Sequence, residues 1–297
     1  MGKIAFVFSG QGDQYPGMGK ELAEKYPAAA EVFAVCDSIR PGTSKQCFSG
    51  TEEELKETAN TQPCLFAMEL AAAKVLDQKG VKPDAVAGFS LGEVTAVTFA
   101  GLVDEKTGFS LVCRRGELMQ REAEKFDTSM AAVVKLSDSQ VEEICSKYEQ
   151  IYPVNFNCPG QVTVSGLSKH MPQFFAEVKT AGGRAIPLKV KGAFHSPFMN
   201  AASADFKKEL EKTKFGEPEI AVYSDMTAEV YGDNPVELLS GQICSPVRWE
   251  KVIRSMIESG VDTFIEIGPG ATLTNMIKKI SGEVKAVTVT DYLKEAE

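Results

Sequence analysis

Residues 85–92 read AVAGFSLG, a short apolar run that ends in a Gly-x-Ser-x-Gly turn. This pattern is typical of a strand that turns sharply into a helix, because the two glycines remove side chains that would clash there. The serine at its centre, Ser90, is predicted to lie above the sheet, with the N-terminus of the following helix directed at it. The same spacing also suits a serine that only caps a helix. The strand before the turn favours the nucleophile.

Strand-like and helical patterns alternate on both sides of this turn. Apolar runs at 4–8 and 262–266 each lead into a glycine-containing loop, and helical patterns cover residues 20–36 and 61–79. A further helix is predicted from about residue 104 to 125. Such alternation predicts an α/β protein whose parallel sheet is covered by helices.

The order of elements changes from about residue 128. The patterns predict a strand, a helix, two strands, a helix and a final strand, which end near residue 190. This βαββαβ order is typical of a ferredoxin-like unit. We therefore predict a body formed by residues 1–126 and 192–297, interrupted by a ferredoxin-like insertion at 127–191. The cleft between the two parts is the expected ligand site.

Charge and composition exclude several classes of protein. The chain has 32 Lys and Arg against 41 Asp and Glu, and this acidic balance argues against binding to nucleic acid or an anionic membrane. Its two histidines are too few for a His-rich metal site. Seven cysteines without a C-x-x-C pair, no leader-like segment and no apolar run near ~20 residues predict a cytoplasmic protein without a membrane span.

Three polar residues outside the turn could take part in its chemistry. His170 starts a polar helix and is expected to be exposed, whereas His195 lies where the insertion returns to the body. His195 could be the base that activates Ser90, or it could pack or cap. Arg115 lies in a helix beside Gly116, a glycine that suggests close approach of another group. Its guanidinium could bind a carboxylate or could simply be solvated.

Eight stretches, in the same order, resemble the malonyl-CoA:acyl carrier protein transacylase family over essentially the whole chain. They are Phe8–Gln14, Thr61–Pro63, Gly88–Glu93, Arg115–Gln120, Asn155–Gly166, Ala193–Pro197, Gln242–Trp249 and Ile267–Gly270. The resemblance implies an α/β-hydrolase-like body with a ferredoxin-like insertion. It also implies malonyl-CoA and acyl carrier protein as partners, fatty-acid or polyketide synthesis as the pathway, and no metal or cofactor.

The resemblance also assigns roles to individual residues. Ser90 attacks the malonyl thioester, and His195 takes the serine proton and returns it to the departing CoA thiol. Gln242 occupies the position whose backbone carbonyl orients the histidine, so that the pair acts as a Ser-His dyad. The remaining roles are an oxyanion hole from the N–H groups of Gln11 and Leu91, a carboxylate contact from Arg115, and a CoA path along 155–161.

Two aromatic residues bear on acyl selectivity. The family usually has histidine directly before the nucleophile, where this chain has Phe89. The pattern therefore predicts the reaction more strongly than it predicts which acyl group is preferred. With phenylalanine at position 89, His195 is the histidine left to act as the base. Phe194 resembles malonyl-selective members, because a bulky ring would crowd an α-methyl branch. One methyl group is worth only about 1–3 kcal/mol, so Phe194 would confer a preference.

Two other classes of protein share part of this pattern. A serine hydrolase would have the same turn and usually an acid between the serine and the histidine, and Asp127 and Asp138 lie in that interval. A non-catalytic binding protein is the other alternative. Carrier dependence of CoA release would separate a transferase from a hydrolase, and the absence of an acyl-serine would indicate a binding protein.

A docking surface for an acidic carrier would need local positive charge. Lys189 and Lys191 precede the His195 segment, and Arg248 and Lys251 lie near the Gln242 stretch. These four residues could form a basic rim, or they could be scattered surface charges.

Overall fold

Two separate β-sheets organise the computed structural model, which describes residues 2–295. The strands are β1 (Lys3–Phe8), β2 (Ala85–Gly88), β3 (Thr128–Val134), β4 (Ile151–Cys158), β5 (Gln161–Leu167), β6 (Arg184–Lys191), β7 (Ala221–Tyr223), β8 (Val261–Ile267) and β9 (Lys285–Thr288). One sheet is parallel, with the order β7-β2-β1-β8-β9, and the other is antiparallel, with the order β4-β5-β3-β6. The predicted mixed α/β architecture is confirmed.

Helices pack against both sheets. They are α1 (Lys20–Lys25), α2 (Pro27–Ile39), α3 (Thr43–Ser49), α4 (Glu52–Lys56), α5 (Thr58–Gln78), α6 (Gly92–Phe99), α7 (Glu105–Ala123), α8 (Asp138–Cys145), α9 (Met171–Thr180), α10 (Asn200–Leu210), α11 (Pro235–Gln242), α12 (Trp249–Glu258), α13 (Thr272–Ile280) and α14 (Val289–Glu295). The prediction of one helix over 20–36 is wrong. Pro27 separates α1 from α2, since a proline suits the first turn of a helix but not its interior.

The central strand β1 shows why the sheet is buried on both sides. Phe6 and Phe8 belong to one apolar cluster, whereas Ala5 and Val7 belong to another, and all four are fully buried. Successive side chains of a strand point to opposite faces, so a continuous apolar run is what a doubly covered parallel sheet requires.

The antiparallel sheet has its own apolar cluster. The element order from β3 to β6 is strand, helix, strand, strand, helix, strand, as the sequence predicts. Helices α8 and α9 contribute Val141 and Phe174 to the cluster that covers Val133 and Val164. The backbone of Val247, between α11 and α12, bonds to β4 at the edge of this sheet: Phe156 N donates to Val247 O at 2.8 Å, and Val247 N donates to Val154 O at 2.8 Å.

The carboxyl ends of the parallel strands define one edge of the molecule. Phe8 and Gly88 are paired in register, so the loop after β1 and the turn after β2 begin side by side. In a parallel sheet this edge is where ligands commonly bind. Across residues 2–295, no helix has the length and apolar character needed to cross a bilayer.

Candidate active site

Ser90 lies on a strained turn that only glycines on both sides permit. Its backbone φ is 56°, in the left-handed region that L-residues rarely adopt. A Cβ on Gly88 would lie 1.9 Å from the carbonyl carbon of Gly92, and a Cβ on Gly92 would lie 2.4 Å from Phe8 O. The Gly-x-Ser-x-Gly pattern therefore has a steric reason at both ends, and the predicted strand-turn-helix is confirmed.

His195 contacts Ser90 directly. Its Nε2 lies 2.8 Å from Ser90 Oγ, and its Nδ1 lies 2.9 Å from the backbone oxygen of Gln242. A carbonyl can only accept, so Nδ1 carries the hydrogen and Nε2 is left to accept the serine proton. Burial, and then the charge of Arg115, lower the pKa of His195 to about 4. The imidazole is therefore neutral at pH 7, the state a general base needs.

The backbone at His195 is strained as well. Its φ is 59°, and its side chain is only 4% exposed. His195 N donates to Ile243 O at 3.2 Å, which ties this segment to the end of α11. Within the part of the chain that the structure describes, five non-glycine residues have positive φ, and two of them are Ser90 and His195, as expected where a fold holds reacting groups in place.

The other candidates for catalytic roles lie apart from this pair. His170 is half-buried against the ring of Tyr148, with centroids 6.4 Å apart, so the expectation that it is exposed is wrong. Asp127 is exposed, and Asp138 begins α8, where burial and then Glu250 raise its pKa. In the described part of the chain, His195 Nδ1 has a carbonyl partner in place of a carboxylate, unlike the Ser-acid-His order of hydrolases.

Arg115 is fully buried and points at the serine. Nη2 lies 3.2 Å from Ser90 Oγ and 2.8 Å from Gln242 Oε1, and Nη1 donates to Gln62 Oε1 at 2.9 Å. Its Nε is buried without a hydrogen-bond partner. Burial lowers the pKa of Arg115 to about 10, so the side chain is still charged at pH 7. The alternative of a solvated helix arginine is therefore wrong for Arg115. It is correct for Arg114, whose side chain is 43% exposed and pairs with Glu117 at 3.1 Å.

Gly116 explains how Arg115 reaches the site. A Cβ at this position would lie 3.0 Å from Thr58 O and 3.2 Å from the Cα of Ala59, at the start of α5. The glycine therefore allows α7 to pack closely against α5, which carries Gln62. The close approach that the sequence suggested is that of a neighbouring helix.

Gln242 connects the three groups. Its carbonyl accepts from His195, its side-chain oxygen accepts from Arg115, and its Nε2 donates to Ser90 O at 2.7 Å. Gln242 Nε2 also lies 3.2 Å from carboxylate oxygens of Glu93 and Asp225. Sequence reasoning gave Gln242 only its carbonyl role and missed both Gln62 and Asp225. Asp225 lies just beyond β7, at the same edge of the sheet as Ser90. This position after a strand was the one feature that could have indicated a role for Asp225.

Two adjacent cavities lie at this site, and the smaller one opens at the serine. A small one of about 90 Å³ is lined by Ser90, His195, Gln11, Leu91 and Phe194 among others. A larger one of about 220 Å³ lies between the loop after β1 and the antiparallel sheet. The two cavities share four lining residues, Gln11, Phe89, Asn155 and Leu188.

The larger cavity has polar groups without partners. Asn155 and Asn157 line it, and the Oδ1 atom of each is buried with no hydrogen-bond partner. Gln161 is also on its wall. The 155–161 stretch therefore borders a cavity that leads to Ser90.

Phe89 forms an apolar wall between the two cavities. Its ring packs edge-on against Trp249, with centroids 5.4 Å apart, and a Cβ on Gly10 would lie 2.8 Å from it. The ring thus contacts the loop that carries Gln11.

The suggested basic rim is only partly described. Lys189 is exposed and lines a separate cavity of about 430 Å³ that Gln11 also borders, and Lys251 is exposed. Arg248 lies over the ring of Phe156, 6.0 Å from its centroid. The side chain of Lys191 lies outside the described residues, and the rim stays a prediction.

Comparisons with known proteins agree with this geometry. The family model described as "Acyl transferase domain" matches residues 5–294. The malonyl CoA-acyl carrier protein transacylase of Bacillus subtilis (strain 168) is 37% identical, over 98% of this chain and 94% of the relative. The Escherichia coli (strain K12) protein of the same name is 35% identical, over 98% of this chain and 97% of the relative.

Solved structures are similar over nearly the full length. The malonyl CoA-acyl carrier protein transacylase of Clostridium perfringens has a TM-score of 0.95 and 35% identity, covering 99% of this chain and 97% of that one. A malonyl-transacylase solved in complex with a type II PKS acyl-carrier protein has a TM-score of 0.94 and 32% identity, covering 99% of each chain. The strained Ser-His pair, the buried arginine and these matches together show that the chain belongs to the malonyl-CoA–acyl carrier protein transacylase family.

Proposed function

We propose that this protein is an acyltransferase that moves the malonyl group of malonyl-CoA to the phosphopantetheine thiol of acyl carrier protein, for fatty-acid or polyketide synthesis. The single observation that carries the proposal is the contact of Ser90 Oγ with both His195 Nε2, at 2.8 Å, and Arg115 Nη2, at 3.2 Å. A nucleophile, its base and a fixed positive charge thus meet at one oxygen, which suits an acyl group that carries a carboxylate.

The reaction proceeds in two balanced steps. Ser90 Oγ attacks the thioester carbon while its proton passes to His195 Nε2, and the C–S bond breaks as His195 returns the proton to the CoA sulfur. The carrier thiol then gives its proton to His195 and attacks the carbonyl carbon of the malonyl ester, and the C–O bond to Ser90 breaks as His195 returns the proton to Ser90 Oγ. Gln242 O keeps the imidazole in the tautomer that both steps need.

Arg115 is proposed to bind the free carboxylate of malonate. Its Nε is a buried donor without a partner, which is costly, and an anionic oxygen bound there would satisfy it. The guanidinium is held in place from both sides by Gln62 and Gln242, so little side-chain freedom is lost on binding.

The oxyanion and CoA sites are also proposals. Gln11 and Leu91 line the small cavity with Ser90, and we assign their backbone N–H groups to the oxyanion hole, where one donor is typically worth about 3 kcal/mol. The unpartnered oxygens of Asn155 and Asn157 are proposed to accept from the amide groups of the CoA arm in the larger cavity.

The two parts of the chain are each proposed to have a known fold. We assign residues 1–126 and 192–297 to an α/β-hydrolase-like body and 127–191 to a ferredoxin-like insertion. The βαββαβ order and the strand order β4-β5-β3-β6 support the second assignment. We further propose that the protein works in the cytoplasm and needs no cofactor or metal, since malonyl-CoA is a substrate and the Ser-His pair supplies the chemistry.

Carrier dependence tests the proposed function. Malonyl-CoA is mixed with the enzyme, and free CoA is followed with and without phosphopantetheinylated carrier protein. Beyond one turnover, CoA release should be slow alone and at least ~10-fold faster with carrier, because the carrier thiol then removes the acyl group from Ser90. Carrier protein without its phosphopantetheine arm is the control. Equal, sustained release in all three mixtures would identify a hydrolase.

The pH dependence of acylation follows from the buried histidine. We expect kcat/KM for malonyl-CoA to stay level through neutral pH and to fall only as the pH drops toward the His195 pKa of about 4, because the base must be neutral. Arg115 is one cause of the low pKa, so the inflection of an Arg115→Ala variant should lie at higher pH. The measurement is initial rate against pH in buffers of constant ionic strength. An inflection near the ordinary histidine value of 6.5 in the unaltered enzyme would contradict the assignment.

A further inference from the structure

Two acidic side chains lie buried beneath the nucleophile turn, and the proposed chemistry uses neither. Asp225 Oδ2 accepts from Ser90 N at 2.7 Å and from Gln242 Nε2 at 3.2 Å. Glu93 Oε2 accepts from Asp225 N at 2.8 Å and from the same Gln242 nitrogen at 3.2 Å. Both carboxyls are fully buried. Together they hold the strained Ser90 backbone and the residue whose carbonyl orients His195.

The charges around the two carboxyls favour a pair that carries one proton and one negative charge. The cation that faces the pair is Arg115, while Tyr231 donates its hydroxyl to Glu93 Oε1 and His195 is neutral. Two ionised carboxylates would leave one negative charge unbalanced in a fully buried site, which is costly. A single proton balances Arg115 against one carboxylate.

The hydrogen bonds show where that proton fits. Asp225 Oδ1 is buried and has no hydrogen-bond partner, whereas Oδ2 has two donors. Both carboxyls lie 3.2 Å from the same Gln242 Nε2, so two ionised groups there would repel each other, and a proton on one of them is favoured. Burial raises the pKa of both groups, and the charge of Glu93 raises that of Asp225 further.

We propose that Asp225 is a positioning residue for the nucleophile, acting as half of a carboxyl pair that shares one proton with Glu93. The pair braces Ser90 N and Gln242 Nε2, and through Gln242 it aligns His195 and Arg115. This inference rests on the proposed function, because its kinetic test follows acylation of Ser90. An asparagine at position 225 reproduces the protonated state: its oxygen accepts from Ser90 N and its NH₂ takes the place of the Oδ1–H group.

The test compares two variants with the unaltered enzyme. The acylation rate with malonyl-CoA is measured by rapid quenching and intact mass. Asp225→Ala removes the acceptor of Ser90 N and should slow acylation by about 10- to 100-fold, since a buried donor is left unpaired. Asp225→Asn should stay within about threefold of the unaltered enzyme. The matched control is Glu69→Ala: Glu69 is a buried carboxyl that accepts from Thr95 Oγ1 at 2.7 Å, and its loss should lower stability without slowing acylation of the folded protein.

A spectroscopic readout is independent of activity. The infrared difference spectrum of the unaltered enzyme minus Asp225→Asn at pH 7 should contain the C=O band of a protonated carboxyl. Absence of that band, or an Asp225→Asn enzyme as slow as Asp225→Ala, would reject the shared proton. Acylation by Asp225→Ala at the unaltered rate would reject the positioning role. An unaltered enzyme that forms no acyl-serine would instead reject the proposed function. The infrared band would still test the shared proton in that case, because it does not depend on activity.

Discussion

Ser90→Ala is expected to abolish covalent capture of the malonyl group. The unaltered enzyme, mixed with malonyl-CoA, should gain the mass of one malonyl group, and peptide analysis should place it on Ser90. The alanine variant should gain none and should transfer to carrier at a rate reduced roughly 10⁴-fold or more, since the attacking oxygen is missing.

A matched serine provides the control for this experiment. Ser110 lies on exposed α7 surface and bonds only to Lys106 O of its own helix, so Ser110→Ala should acylate normally. Thermal melting should show Ser90→Ala to be folded, because removing the hydroxyl leaves the Ser90 N–H···Asp225 bond intact. A malonyl adduct on the alanine variant would place the nucleophile elsewhere.

Arg115→Ala is expected to change which acyl group the enzyme accepts. Loss of a buried charged partner typically costs about 3–5 kcal/mol, so kcat/KM for malonyl-CoA should fall by roughly 10²- to 10⁴-fold. Acetyl-CoA has no carboxylate and should be much less affected. The malonyl-to-acetyl ratio of kcat/KM should therefore fall by at least about 100-fold, and this ratio does not depend on the fraction of folded enzyme.

The neighbouring arginine is the control for charge and helix. Arg114 lies on the same helix, exposed, and pairs with Glu117 and with Glu209 at 3.9 Å. Arg114→Ala should leave the malonyl-to-acetyl ratio unchanged within about twofold, because exposed ion pairs contribute little. If Arg115→Ala also leaves the ratio unchanged, the carboxylate contact assigned to Arg115 is wrong.

Periodicity predicted the sheets better than it predicted the helix boundaries. The apolar run of β1 and the alternation from β3 to β6 are local signals of side-chain burial, and the structure has these strands close to where they were expected. The helices α3 and α4 span only seven and five residues, too few for a periodic pattern to appear.

The site was predictable where a local motif or a family pattern carried it. The glycines at 88 and 92 mark the turn by sterics alone, so Ser90 could be found from residues. The roles of His195 and Arg115 came from the resemblance, because the local sequence also allowed His195 to pack or cap and Arg115 to be solvated. The geometry now favours the functional interpretation of both, because each contacts Ser90 Oγ.

The support beneath the site was outside the reach of sequence reasoning. Asp225 bonds to Ser90 from 135 residues away, because β7 lies beside β2 in the sheet although four strands separate these two in the chain. Strand order of this kind is a property of tertiary packing and leaves no local pattern. Gln62 likewise reaches Arg115 across 53 residues because Gly116 lets two helices approach.

The most direct test of the central claim is the discharge of isolated malonyl-enzyme. Enzyme is acylated with malonyl-CoA and freed of nucleotide by rapid desalting. It is then mixed with phosphopantetheinylated carrier protein, and the masses of both proteins are followed over time by intact mass spectrometry. We expect the malonyl mass to leave Ser90 and to appear on the carrier in equal amount, far faster than it leaves in buffer alone. Release of free malonate at the same rate in both samples, with the carrier unmodified, would contradict the account.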